Sequence, residues 1–170
     1  MKTRITSTLL LAASLLALAS GGASADTKVF QAASICTGGK QSNFNINGTI
    51  FNDSLTLPVT VLCAINRDRT DAKPSSVQIS VIDNSSLLIG DGNFACSLLP
   101  MSRFGQPNAS GATVTTSGTN SAGQILTVPS PAFVPNDGTL TLKCKIPRRG
   151  AGDPNSLIGS IKVVEPEPTN

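Results

Sequence analysis

Four cysteines, Cys36, Cys63, Cys96 and Cys144, are the residues of this chain best equipped for chemistry, and no His, Tyr or Trp accompanies them. In a cytosolic chain such cysteines would suggest nucleophiles or metal ligands. In an exported chain an even number reads as a disulfide framework. The spacings of 27, 33 and 48 residues fit no zinc pattern, and there is no His to complete one. Four cysteines allow three connectivities, which sequence alone leaves open. Proximity in sequence favours Cys36–Cys63, and two similarly patterned strands favour Cys96–Cys144. Cys63–Cys144 is the main rival.

Other catalytic groups are scarce. Ser-His and Cys-His pairs are impossible without His, because a nucleophile needs a base beside it. A Ser-Lys pair is conceivable, but Lys143 and Lys145 fall on the predicted solvent face of a strand. Beyond residue 25 the only Glu are Glu165 and Glu167, both near the end. The Asp residues sit in turn contexts such as Asn52-Asp53-Ser54, Asp83-Asn84, Asn136-Asp137-Gly138 and Asp153-Pro154. There a carboxylate bonds the nearby backbone, so paired acid/base work is disfavoured. Asp91-Gly92-Asn93 offers two hard oxygen donors, Asp91 and Asn93, as candidate Ca²⁺ ligands, but the rest of a calcium loop is missing. No other metal or cofactor is expected.

Arg67-Asp68-Arg69-Thr70-Asp71 alternates in sign and reads as a solvated loop closing its own ion pairs. Arg148-Arg149-Gly150 reads as a dibasic turn. Sugar stacking would fall to Phe, and most of Phe30, Phe44, Phe51, Phe94, Phe104 and Phe133 are expected in the core. Asn47, Asn52, Asn84 and Asn108 begin N-x-S/T triplets, read as products of composition.

Residues 1–25 read as a secretory signal: Lys2 and Arg4, an apolar run from Leu9 to Ala19, and Ala23-Ser24-Ala25 before the expected cut. The run is too short for a bilayer core, which takes ~20 residues. Cleavage would remove two of 13 basic residues, leaving 11 against 10 acidic ones. That balance gives no reason to expect nucleic acid or an anionic membrane as partner. The expected location is periplasmic or extracellular, without a membrane span after cleavage.

The remaining chain must be built from short strands. Leu55 to Ile65 places Leu55, Leu57, Val59, Val61, Cys63 and Ile65 on one face at period two. Pro58 removes a ladder donor there, predicting an edge or bulged strand. Val77–Val81, Phe94–Leu98, Leu140–Ile146 and Gly159–Val163 alternate likewise, with a weaker pair at 112–116 and 124–128. No helical period stands out. The expectation is all-β: one antiparallel β-sandwich over 26–164, with about seven to eight strands, two disulfides and a solvated tail at 165–170. Cystines joining facing sheets would suit the three inward cysteines.

Several stretches together resemble a loose group of small exported bacterial proteins with four cysteines, mostly uncharacterised. They are Cys36, Gly48-Thr49-Ile50 with Asn52 and Ser54, Val61-Leu62-Cys63-Ala64-Ile65 before Arg67-Asp68, Ala95-Cys96-Ser97-Leu98, Leu142-Lys143-Cys144-Lys145-Ile146-Pro147, and a last strand ending near Glu165. Ala64, where the group usually has Pro, and the lack of Tyr depart from it. The resemblance implies a small secreted β-sandwich and brings no catalytic residues.

The sequence therefore favours a non-enzymatic exported protein with a binding or structural role, presenting loops 66–75, 100–123 and 147–156 to a cell-surface partner or to other copies of itself. A pilin-like subunit, with 26–34 completing a neighbour's sheet, is the first alternative. A hydrolase working without His is the second.

Overall fold

A computed structural model describes residues 27–39, 42–44, 47–67, 73–87 and 92–166. The leader, the candidate Asp91, residues 68–71 and residues 167–170 lie outside them.

The described chain forms two antiparallel sheets. In chain order the elements are β1 (Thr27–Gln31), α1 (Ala32–Ile35), β2 (Cys36–Gly38), β3 (Ser42–Phe44), β4 (Ile50–Asn52), β5 (Val59–Ile65), β6 (Ser76–Asp83), β7 (Ala95–Met101), β8 (Val114–Thr115), β9 (Asn120–Pro129), β10 (Thr139–Ile146) and β11 (Ser156–Val164). One sheet has six strands in the order β3-β4-β11-β6-β9, with β1 also paired to β11. The other has five, in the order β2-β5-β10-β7-β8. The one-turn helix α1, absent from the sequence expectation, buries Ala32 and carries the chain from one sheet to the other.

Alternation builds the core. Val59, Val61, Cys63 and Ile65 from β5 are buried with Leu140, Leu142, Cys144 and Ile146 from β10. Val77, Ile79 and Val81 face them from β6, with Ile158, Ile161 and Val163 from β11. Burying each aliphatic side chain stabilises by roughly 1.5–3 kcal/mol, so this shared interior dominates the fold.

Several expectations need correction. Leu55 and Leu57 are 49% and 54% exposed, and the strand starts only at Val59. Before it, Ser54 Oγ accepts from the amides of Thr56 (3.2 Å) and Leu57 (3.1 Å), a local turn that competes with pairing. Pro58 therefore precedes a strand that lies inside its sheet, where its missing N–H costs no ladder bond. On β11 the period breaks: Ile158 pairs with Val81 and Ile161 with Ile79, so β11 carries one extra residue. This bulge at Gly159 and Ser160 turns Ile158, not Gly159, to the interior. Glu165 is buried at 3% exposure, so the solvated tail does not begin there.

The disulfides pair Cys36 with Cys63 and Cys96 with Cys144. Neither joins the two sheets, contrary to the expectation. Cys36 lies directly opposite Cys63 on β2 and β5, and Cys96 opposite Cys144 on β7 and β10. Both cystines staple the five-stranded sheet. Facing sheets and adjacent strands look alike at period two, which is why sequence misplaced them.

The interior joins the sheets with buried polar groups as well. Asn52, fully buried on β4, donates through Nδ2 to the carbonyls of Leu57 and Pro147, both at 3.0 Å. Its Oδ1 accepts from the Ser54 amide. Asp83, also fully buried, accepts from the hydroxyls of Thr116 and Ser156 and from the Ser85 amide.

Candidate ligand-binding face

Two outward faces are available, and their polar groups differ. On the six-stranded sheet, Ile82, Ile125, Leu157 and Gly159 help to line a broad groove of about 570 Å³. Two of its three polar side chains are engaged: Ser80 Oγ meets Ser160 Oγ at 3.1 Å, and the Gln124 amide donates to the Gly118 carbonyl at 3.0 Å, while the buried Thr49 hydroxyl has no partner.

The five-stranded sheet presents a smaller groove of about 280 Å³, lined by Ala95, Ser97, Leu99, Ser110, Thr113, Lys143 and Lys145. β10 places the two lysines two residues apart on one face, ~7 Å apart along the strand. The register sets Ser97 opposite Lys143 and Ala95 opposite Lys145. These small neighbours leave the lysine stems standing beside a trough. Among the described residues, no side-chain hydrogen bond or ion pair engages Lys143, Ser97, Ser110 or Thr113. No Asp or Glu occupies an outward strand position of this sheet.

The long loop after β7 supplies the wall of the trough. It folds back along its own strand: the Asn108 amide donates to the Pro100 carbonyl at 2.9 Å and the Gly111 amide to Leu98 at 2.8 Å. Gly111 lies between Leu98 and the segment Pro129–Pro131, within van der Waals reach of all three backbones. That close approach sets the loop against a second one, residues 130–138. There Asn108, Ala109, Ser110, Pro131, Ala132 and Phe133 surround a recess of about 160 Å³. Ser110 lines both hollows, so they form one track.

Phe133 stands 67% exposed and Phe104 79% exposed, against the expectation that most Phe lie in the core. Phe94 is the one fully buried Phe among the described residues. Apolar identity alone reads as core, and only the tertiary path of the loops brings these two rings out. Phe104 is stacked under the Arg103 guanidinium, 5.1 Å from its ring centroid, and Arg103 lies 3.6 Å from Asp137. The Phe133 loop is anchored by Arg67, which donates to the Gly138 carbonyl at 2.8 Å. Arg67 thus reaches beyond its own loop, while the acidic partners expected for it there, Asp68 and Asp71, lie outside the described residues. Gly138 is required because a Cβ there would collide with the Met101 carbonyl oxygen.

The remaining sequence candidates lie apart from this track. Asn93 is half-buried near the start of β7, and its proposed companion Asp91 lies outside the described residues. Among the described residues no cluster of three or more His, Cys, Asp or Glu could hold a metal. Asn52 is buried and Asn84 donates to the Asn155 carbonyl at 2.8 Å, so both serve the fold. Asp153 is held below the ordinary aspartate value of 3.8, first by the Ser86 amide 2.8 Å away and then by the Ser86 hydroxyl. It braces the 147–156 loop against Ser86. A Ser-Lys nucleophile would need a desolvated lysine, and Lys143 is exposed.

The sequence matches no family model and no curated protein. The fold does have solved counterparts. The chain is similar to the CBM36-1 domain of a multidomain xylanase from the hindgut metagenome of Trinervitermes trinervoides, with a TM-score of 0.50 and 13% identity over 81% of this chain and 96% of that one. It is also similar to a family two carbohydrate esterase from Cellvibrio japonicus, with a TM-score of 0.51 and 6% identity over 85% of this chain. It spans only 35% of that esterase's length. A family 11 carbohydrate-binding module from Clostridium thermocellum matches at a TM-score of 0.42 and 7% identity, over 85% of this chain and 91% of the module. At these identities the likeness is one of fold alone: an antiparallel β-sandwich, shared with the CBM36-1 domain.

Proposed function

We propose that this protein is an exported, non-enzymatic binding module of bacterial origin whose ligand is a carbohydrate. The observation that carries this reading is the exposed ring of Phe133 beside a recess lined by Asn108 and Ser110. An aromatic face with amide and hydroxyl groups next to it matches a sugar ring, which offers apolar C–H faces and a rim of hydroxyls. The CBM36-1 and esterase likenesses support a scaffold suited to carbohydrate work. Paired cysteines support an oxidising compartment, and the resemblance to small exported bacterial proteins belongs to the same reading. The absence of His from the sequence supports binding over hydrolysis.

The pilin-like alternative is weaker on one point. Residues 27–31 pair antiparallel with the chain's own β11, so donating them to a neighbour would first require their release.

An array of immobilised glycans tests the reading. The wild-type protein is expected to bind a subset of them, and Phe133→Ala to lose about tenfold or more in affinity, the equivalent of ~1.4 kcal/mol. Binding to no glycan, or binding indifferent to Phe133→Ala, contradicts it.

A further inference from the structure

The lysine trough gives the carbohydrate reading a chemical class. We infer that the ligand is an acidic glycan, one whose sugars carry carboxylate or sulfate groups. A sugar ring would lie over Phe133 while its anionic substituents reach Lys143 and Lys145. The inference rests on the carbohydrate reading above and narrows it.

Continuity is the first support. Ser110 lines both the Phe133 recess and the lysine trough, so a chain of sugars passing one hollow enters the other. Charge is the second. Beyond residue 25 the chain is almost neutral, so the lysine pair reflects local placement, not a generally basic surface. The outward strand positions of the five-stranded sheet hold these two lysines and no carboxylate. The third support is supply of donors. Ser97, Ser110, Thr113 and the Lys143 ammonium are not engaged among the described residues. Charge-assisted bonds from an ammonium to an oxyanion are about twice as strong as neutral ones. The wider groove on the opposite sheet lacks the charge, since no charged residue lines it.

The test uses one array bearing neutral glycans (dextran, xylan), carboxylated glycans (polygalacturonate, alginate) and a sulfated glycan (chondroitin sulfate), with single-stranded DNA as a polyanion without the sugar features. Wild type, Phe133→Ala, Lys143→Gln and Lys143→Gln/Lys145→Gln are compared after confirming equal thermal unfolding. Acidic glycans are expected to bind at least about tenfold tighter than neutral ones, with affinity falling as salt rises. The double lysine variant is expected to lose most of that preference while keeping the residual neutral binding. Carboxylated against sulfated spots identifies which anion is favoured. Neutral glycans bound as tightly as acidic ones, with Phe133→Ala still harmful, overturn the inference and leave the carbohydrate reading standing. Silence on every glycan overturns both. DNA bound as tightly as the acidic glycans, and indifferent to Phe133→Ala, also overturns it, because charge alone then explains retention. Should the double variant unfold early, Lys143→Gln alone, at an exposed position, still decides the outcome.

Discussion

The two sheets of this sandwich share one core but are built to different standards of constraint. The five-stranded sheet holds both disulfides, each between directly opposed residues of neighbouring strands. The six-stranded sheet holds none, carries a bulge in β11 and takes in the N-terminal β1 as a further strand. Their outer faces differ in parallel. The stapled sheet presents the unengaged Lys143 ammonium and several hydroxyl groups beside an exposed ring, whereas the unstapled one presents a larger, mostly apolar groove whose serine and glutamine are engaged. The difference teaches that groove size alone is a poor guide. Recognition needs polar groups held ready in place, and the covalent staples lie under the face that has them.

Breaking the staples should have the largest effect. In the chain-entropy account, removing Cys36–Cys63, with its separation of 27, costs about 3.5 kcal/mol. Removing Cys96–Cys144, with a separation of 48, costs about 4 kcal/mol. Denaturant unfolding of Cys36→Ala/Cys63→Ala and Cys96→Ala/Cys144→Ala should therefore both show large losses, the second slightly larger. A loss under about 1 kcal/mol for either pair would remove the claimed asymmetry between the sheets.

The polar links between the sheets come next. Asn52→Leu would orphan the Leu57 and Pro147 carbonyls in the interior, at a cost of about 1–3 kcal/mol. Replacing Asp83 by Ala strands the hydroxyls of Thr116 and Ser156 in the same way. Thermal melts measure both, and neutral substitutions would show that apolar packing alone joins the sheets.

A smaller effect is expected at Asp153. Its carboxyl titrates below 3.8 when folded, so it stabilises the folded state above the ordinary aspartate value. That contribution disappears as pH falls through the depressed value. Wild type should melt above Asp153→Asn at neutral pH, and the two should converge in strong acid. A gap that persists in strong acid contradicts the role given to Ser86 as its partner. The least effect is expected at Ile125, 68% exposed over the wide groove. Ile125→Ser should leave glycan affinity within about twofold, as measured by affinity electrophoresis, because exposed single apolar groups contribute little.

How much of this was legible in the sequence depends on range. The inward faces of β5 from Val59, of β6 and of β10 follow from alternation, which is local. So does the outward aim of Lys143. The β11 bulge was not legible, because one extra residue reverses the very period used to read it. Asn52 and Asp83 were read as turn residues from their neighbours. They do bond Ser54 and Ser85 locally, but their burial comes from strands far away in sequence. The Phe133–Ser110–Lys143 track was beyond reach for the same reason, since two loops and a strand meet there only in the folded chain. Its components are visible in the sequence only as a Phe expected in the core and two lysines on the solvent face of a strand.

The central claim is that ligand binds on the stapled sheet and its loops. Amide chemical-shift mapping of the labelled protein, titrated with the acidic glycan that binds best on the array, tests it most directly. The account predicts shifts at 95–99, 108–113, 132–133 and 143–145, with 80–82, 122–125 and 157–159 unmoved. Shifts confined to those last three segments would place the ligand in the wide apolar groove and contradict the account.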